Sequence, residues 1–243
     1  MMGRYGVDAP GVVRTLGVSG VIAALAAWPV HQALRTWAGP PVALAALVIL
    51  GTGALTMLVQ AGWMLYSSRI GKARVWRRAL DELGLRGDEH VIEVGPGRGA
   101  VLIAAARRVP RGRLVGVDIW RSQDQSGNGP DALRANARGA GVADRVEVVR
   151  GDMRDLPYAG PAFDLALASL AVHNLPAADR PGAVRELLRV LRPGGRLVIV
   201  DFEGTAAFAG ALRAAGARDV RVSGLRWSMH PPARVVTASA PPR

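Results

Sequence analysis

Hydrophobic patterning divides the chain into two unlike parts. From Thr15 to Leu34 no residue carries a formal charge, and from Val42 to Tyr66 a second run of 25 residues carries none. A membrane-spanning helix needs about 20 predominantly apolar residues. The second run meets that requirement, and the first, weakened by Pro29, His31 and Gln32, lies at its edge. The link Arg35–Pro41 is short enough for a helical hairpin over residues 1–66. Arg4 and Arg14 precede the first run, Arg35 alone lies in the link, and Arg69, Lys72, Arg74, Arg77 and Arg78 follow the second. The positive-inside rule then puts both ends in the cytoplasm, which predicts a multi-pass inner- or plasma-membrane protein with a cytoplasmic C-terminal part. Ser19, Ala23 and Ala27 form a small-residue ridge suited to helix packing within the hairpin or between copies of the chain. The basic start and the small residues Ala24–Ala27 also fit a cleaved signal peptide.

Residues 67–87 read as a basic amphipathic juxtamembrane helix and linker, with Ile70, Val75, Ala79 and Leu83 roughly on one face. Its arginines suit anionic headgroups or serve only as a topology signal. From residue 88 to 243 the period changes. Strands are predicted at His90–Val94, Leu114–Asp118, Val146–Arg150, Leu165–Ser169, Arg196–Asp201, Asp219–Ser223 and Val235–Ala238. Helices are predicted at Val101–Arg108, Pro130–Ala140, Arg180–Leu191 and Thr205–Ala215, with Gly194-Gly195 ending a helix and turning into a strand. That alternation predicts one α/β domain with a mostly parallel sheet and helices on both faces.

Composition narrows the classes. Half the residues are apolar and there is no cysteine, which excludes a disordered chain, a disulfide scaffold and a zinc ribbon. The net charge of +12 is concentrated in residues 1–80, which hold eight basic residues and one acid, Asp8. A nucleic-acid binder more often spreads its basic excess over the folded domain, so no nucleic-acid partner is expected. Lys72 is the single lysine among 31 basic residues, a bias that reflects genome composition more than chemistry.

Candidate chemistry begins at Val91-Ile92-Glu93-Val94-Gly95-Pro96-Gly97-Arg98-Gly99-Ala100, where a strand runs through glycines into a helix. Glycine lets the backbone turn tightly and approach a ligand. Gly95, Gly97 and Ala100 also satisfy the dinucleotide pattern, with Asp118 placed for a ribose. Glu93 breaks the tie, because an acid at the strand end suits a cationic ligand group and repels a pyrophosphate. Gly151-Asp152-Met153 puts a further acid at a strand edge, and Phe163-Asp164-Leu165 through Ser169 and Leu191-Arg192-Pro193-Gly194-Gly195-Arg196-Leu197 follow in order.

With these motifs in sequence, residues 72–240 resemble the class I S-adenosylmethionine-dependent methyltransferases. They are similar, more narrowly, to a bacterial group with an N-terminal membrane segment and the loop Asp118-Ile119-Trp120-Arg121…Asp124-Gln125-Ser126-Gly127-Asn128. The resemblance implies a Rossmann-like seven-stranded sheet of order 3-2-1-4-5-7-6, its last strand antiparallel, with S-adenosylmethionine as cofactor. It implies that Gly95, Gly97 and Gly99 floor the aminocarboxylate end with Glu93 beneath. It further implies that Asp118 accepts from the ribose hydroxyls, that Asp152 and Met153 lie at the adenine with the Asp taking its amino group, that Ser169 or its backbone lies near the methionine part, and that Ile119 is a further cofactor contact.

The cofactor would supply the electrophile, so the protein mainly positions the acceptor. His173, after the fourth strand, is the candidate base, because an imidazole titrates near neutral pH. Substrate contact without proton transfer, or holding its own loop, suit it equally well. Trp120, Asn128, Glu203 and Trp227 are candidate acceptor contacts, with His230 beside Trp227. The loop Ile119–Gly129 departs from the usual family pattern and reads as a flap or as a solvated turn. No His, Asp and Glu spacing suggests a metal. The expectation is a membrane-anchored methyltransferase acting on a small, apolar or membrane-partitioned acceptor. Its rivals are a protein methyltransferase, a non-catalytic cofactor-binding sensor and an NAD-dependent oxidoreductase.

Overall fold

The computed structural model describes residues 5–121 and 127–242. Helix α1 spans Pro10–Trp37 and α2 spans Pro40–Tyr66, each with proline in its first turn, where its missing N–H costs nothing. Both are long and apolar enough to cross a membrane, by length and composition. They pack side by side through small residues: Gly20 and Ala27 on α1 and Ala43, Ala54 and Ala61 on α2 are buried. A Cβ on Gly20 would stand 2.9 Å from Leu58 Cγ. The predicted ridge therefore runs through Gly20 and Ala27, with Ser19 and Ala23 only half-buried at its side. Large apolar side chains such as Leu25, Trp28 and Ile49 point outward and are exposed by 60% or more.

Helix α2 does not stop at the end of its apolar run. A π-helical turn, Ser67–Gly71, carries it into α3, Lys72–Glu82, so one rod runs from Pro40 to Glu82. At Gly71 the carbonyl of Ser228 packs where a Cβ would sit, 1.7 Å away. Val75, Trp76, Ala79 and Leu80 on α3 are buried in the domain core. The segment read as a juxtamembrane linker is thus a wall of the globular domain.

The strands are β1 His90–Val94, β2 Arg113–Asp118, β3 Val146–Arg150, β4 Phe163–Ser169, β5 Leu191–Asp201, β6 Arg218–Val222 and β7 Arg234–Ser239. Their order is β3-β2-β1-β4-β5-β7-β6. β1 to β5 are parallel and β7 is antiparallel to both neighbours. The helices between them are α4 Ala100–Ala106, α5 Pro130–Gly139, α6 Arg180–Arg189 and α7 Thr205–Ala214. The two-residue period of a strand sorts its side chains to opposite faces. Val91, Leu114, Leu165 and Leu167 pack with α3, α4 and α5, whereas Ile92, Val94, Val115 and Val117 pack with α6 and α7. Glu93 shares the face of Val91.

One boundary differs from the sequence reading. Gly194-Gly195 does not end a helix: α6 stops at Arg189 and β5 has begun at Leu191. The pair lies within the strand where the register against β4 breaks between Phe163 and Leu165. Gly194 adopts φ +74° there, a turn that glycine takes without steric cost.

Candidate active site

Connections leave β1 toward β2 on one side of the sheet and reach β4 on the other. Open α/β sheets leave a crevice at such a switch point, at the carboxyl ends of the strands. A cleft opens there, and its walls include Glu93, Gly95, Gly97, Asp118, Ile119, Asn128, Met153 and Ser169. Asp8, Lys72, Arg121, Asn174 and Leu175 also line it.

Its floor is the turn from β1 into α4. Gly95, Gly97 and Gly99 take φ of +63°, +53° and +82°, a left-handed region costly for other residues. Space forbids side chains as well. A Cβ on Gly95 would lie 2.5 Å from Ala171 Cβ, and one on Gly99 2.0 Å from Leu133 Cδ1. Asp118, at the end of β2, holds the turn: Oδ2 accepts from the Gly97 N–H at 3.3 Å and Oδ1 from the Trp120 N–H at 2.8 Å. Trp120 is itself left-handed, with φ +61°, a strain of the kind that collects at ligand sites.

Glu93 is buried, and its Oε2 has no hydrogen-bond partner. Burial pushes its carboxyl up to about 8, against the opposing pull of the Lys72 ammonium and the Leu102 N–H in the first turn of α4. Asn128 Oδ1, in the same cleft, is also buried without a partner, while its Nδ2 donates to the Arg121 carbonyl at 2.8 Å. Buried acceptors without donors are uncommon and call for an explanation. Two in one cleft fit a ligand that brings its own donors. On the opposite wall Ser169 Oγ accepts from Trp76 Nε1 at 2.8 Å.

S-adenosylmethionine fits this donor set. Its ammonium would meet Glu93 Oε2, its ribose hydroxyls Asp118, and its adenine the apolar Ile119 and Met153. The third acid behaves otherwise. Both oxygens of Asp152 accept from Arg154, at 2.7 to 3.1 Å, and that hydrogen bonding holds its carboxyl below the usual range. Arg154 also donates to Asp179 at 2.8 Å. Asp152 is not among the residues that line the cleft, whereas Met153 is.

The candidate acceptor contacts separate in the same way. Trp227 stacks on Trp63 at the end of α2 and is 64% exposed, and the His230 ring lies 4.6 Å from Trp63. Neither is among the residues that line the cleft. Glu203 is exposed and paired with Arg180 at 2.7 Å. Trp120 packs against the core, leaving the wall to Ile119, so neither it nor Glu203 lines the cleft. Asp124, Gln125 and Ser126 lie outside the described residues.

His173 sits on a 3-10 turn, Val172–Asn174, after β4. Its Nδ1 lies 2.8 Å from Oδ1 of Asp201, which is fully buried at the end of β5. The other oxygen of Asp201 accepts the His173 N–H at 3.2 Å, and the His173 carbonyl accepts from Arg180 at 2.8 Å. The ring leans on Phe202, 4.3 Å between centroids. His173 is not itself a wall of the cleft; its neighbour Asn174 is. Sequence reasoning missed Asp201 as its partner, along with Trp76, Asp8 and Lys72. Lys72 and Asp8 each left a signal, one as the single lysine of the chain and the other as the single acid of residues 1–80.

Sheet order, the glycine turn over a buried acid, and the carboxylate ending β2 are the arrangement of a Rossmann-like methyltransferase fold, and the comparisons that follow support S-adenosylmethionine-dependent methyl transfer with S-adenosylmethionine as cofactor. Residues 92–199 match the family described as a methyltransferase domain. The ubiquinone/menaquinone biosynthesis C-methyltransferase UbiE of Paracoccus denitrificans is 34% identical over 133 residues, 54% of this chain and 50% of that protein. Its counterpart from Hahella chejuensis is 33% identical over 135 residues, 55% and 51% of the two chains. The chain thus spans about half the length of the curated relatives it matches. Among solved structures, a SAM-dependent methyltransferase from Aquifex aeolicus aligns with TM-score 0.53 and 20% identity, covering 68% of this chain and 88% of that one. The [4+2]-cyclase SpnF aligns with TM-score 0.59 and 21% identity, covering 70% and 81%. These two likenesses are of fold alone, and the second belongs to a protein named for a different reaction.

Proposed function

We propose that this chain methylates a small, membrane-partitioned acceptor at the cytoplasmic face of a bilayer. The observation that carries the reading is the unbroken rod from Pro40 to Glu82, whose apolar half is exposed and whose other half supplies Lys72 to the cofactor cleft and Trp76 to the hydrogen bond that holds Ser169. An apolar face of that size in water is costly, and a bilayer removes the cost. Basic residues flanking the hairpin favour the domain on the cytoplasmic side. The relatives' names, which refer to ubiquinone and menaquinone biosynthesis, support a lipophilic acceptor and transfer to carbon.

When bound, S-adenosylmethionine supplies an electrophilic methyl group. The residues of this chain do the positioning. Glu93 and Asp118 hold the two polar ends of the cleft, and Ile119, Met153 and Leu175 give it apolar walls. Where the acceptor loses a proton, His173 takes it at Nε2. Its Nδ1–H is donated to Asp201, which fixes the tautomer and the ring orientation.

The test uses the full chain in lipid vesicles with methyl-labelled cofactor. Label extracted with lipophilic phenols and quinols, at rates well above those for soluble amines and phenols, supports the reading. Faster labelling of the soluble acceptors, or of membrane proteins, overturns its acceptor class.

A further inference from the structure

The aminocarboxylate end of the cleft contains an ion pair that no part of the mechanism above uses. Lys72 Nζ lies 2.8 Å from both Oδ1 and Oδ2 of Asp8. The lysine side chain is 12% exposed and the aspartate 29%. Both residues line the cleft with Glu93 and Ser169, and the charge of Lys72 is felt at Glu93. Asp8 arrives from outside the domain. It ends the segment Tyr5–Asp8, its backbone N–H donates to Ser68 Oγ at 3.2 Å, and Tyr5 packs against the core. Two residues later α1 begins.

An amino acid end group carries an ammonium and a carboxylate on one carbon. A site for it needs an acceptor and a cation side by side. Glu93 is the acceptor, and its Oε2 lacks a donor. Lys72 is the cation, and it is already held by a carboxylate in two-oxygen contact. The asymmetry has a simple reading: Asp8 gives Lys72 the partner that a ligand carboxylate would give it, and Glu93 Oε2 has no corresponding donor among the described residues. We propose that Lys72 binds the carboxylate of the cofactor, and that Asp8 occupies its place until the cofactor displaces it. The inference rests on the S-adenosylmethionine reading of the cleft. Its consequence is a tie between cofactor loading and the arm that leads into the apolar hairpin: each bound cofactor frees the Tyr5–Asp8 segment from the domain.

Calorimetry on the full chain in detergent tests this with two probes, S-adenosylhomocysteine and 5′-methylthioadenosine. They share the adenosine and sulfur, and only the first has the aminocarboxylate. Asp8→Asn removes the competing charge and is expected to tighten S-adenosylhomocysteine several-fold, while methylthioadenosine stays within about twofold. Lys72→Met is expected to weaken S-adenosylhomocysteine by roughly tenfold or more, the weight of one charge-assisted hydrogen bond, again sparing methylthioadenosine. Because Lys72→Met also removes the Lys72–Asp8 pair, hydrogen exchange on the wild type gives a second reading. The Asp8 amide should lose protection with S-adenosylhomocysteine and keep it with methylthioadenosine. Unchanged or weaker S-adenosylhomocysteine binding in Asp8→Asn, or equal effects of Lys72→Met on both probes, overturns the displacement. Failure of both probes to bind the wild type overturns the cofactor reading and the inference with it.

Discussion

Replacing Glu93 with glutamine should make the ligand-free protein more stable and the cofactor site useless. An acid whose carboxyl is raised by burial keeps its proton in the folded state after the unfolded chain has lost it. Below about pH 4.5 both states are protonated and the burial has no effect on stability. Between there and the folded value of about 8, stability falls by about 1.4 kcal/mol per pH unit. The loss is on the order of 3 kcal/mol at pH 7 and reaches a plateau near 5 kcal/mol above pH 8. Glutamine keeps the shape and the contact to the Leu102 N–H and does not titrate. For a chain of this size each kcal/mol moves Tm by about 2–4 °C. The difference in Tm between Glu93→Gln and wild type should therefore grow from near zero at pH 5 to several degrees at pH 7.5, measured by tryptophan fluorescence in detergent. Cofactor binding runs the other way. The ammonium needs an ionised partner, so binding to the wild type at pH 7 should release close to one proton, read by calorimetry in buffers of different ionisation enthalpy. Glu93→Gln should lose most of its affinity and all of the proton release. Parallel Tm profiles, together with binding that moves no proton, would refute the assignment of Glu93 as a buried acid awaiting a cation.

Other perturbations separate the remaining roles. His173→Gln and Asp201→Asn should each lower the methylation rate, by about 10²-fold or more for a proton-abstracting histidine, and leave S-adenosylhomocysteine affinity within about twofold. Equal loss of rate and affinity would mean that the pair only holds its loop. Gly95→Ala puts a Cβ against Ala171 at φ +63°. It should cost about 1–3 kcal/mol in denaturant unfolding and abolish cofactor binding; a wild-type affinity would show that the turn does not floor the site. Trp227→Ala removes a side chain that does not line the cleft and should leave S-adenosylhomocysteine affinity unchanged; an unchanged rate as well would argue against Trp227 as an acceptor contact, and a large fall in rate alone would support it.

Much of the fold is legible because its signals are local. β1 and β3 have the bounds their β-branched runs predict, and the sheet order follows from the resemblance carried by the glycine turn and the acids. Glu93, Gly95, Gly97, Asp118, Met153 and Ser169 reach one cleft because each lies at the carboxyl end of a strand near the switch point, a position that sequence spacing reports. What spacing cannot report is a partner brought from elsewhere. Asp152 has Arg154 two residues away, and whether that guanidinium turns inward depends on Asp179. His173 meets Asp201 across 28 residues and Trp76 meets Ser169 across 93. Trp227 looks like an acceptor contact until the end of α2 is present to stack on it. The amphipathic stripe of α3 was visible, but its period is the same against a lipid surface and against a sheet. Only the packing of Trp76 and Leu80 beneath β1 and β4 decides between them.

The π-turn at Ser67–Gly71 has a practical consequence for any attempt to obtain the domain without its hairpin. No loop is available to cut. A chain severed after Tyr66 begins inside a helix, and newly made helix ends fray over their first turn. That first turn would be Ser67–Gly71, directly before Lys72, with Trp76 one turn further on. Fraying there would also displace the Ser67 hydroxyl that accepts from the His230 N–H at 2.8 Å. A shortened form can fold about its sheet and still lack one wall of its cleft, so an inactive fragment would say nothing about the chemistry of the intact chain.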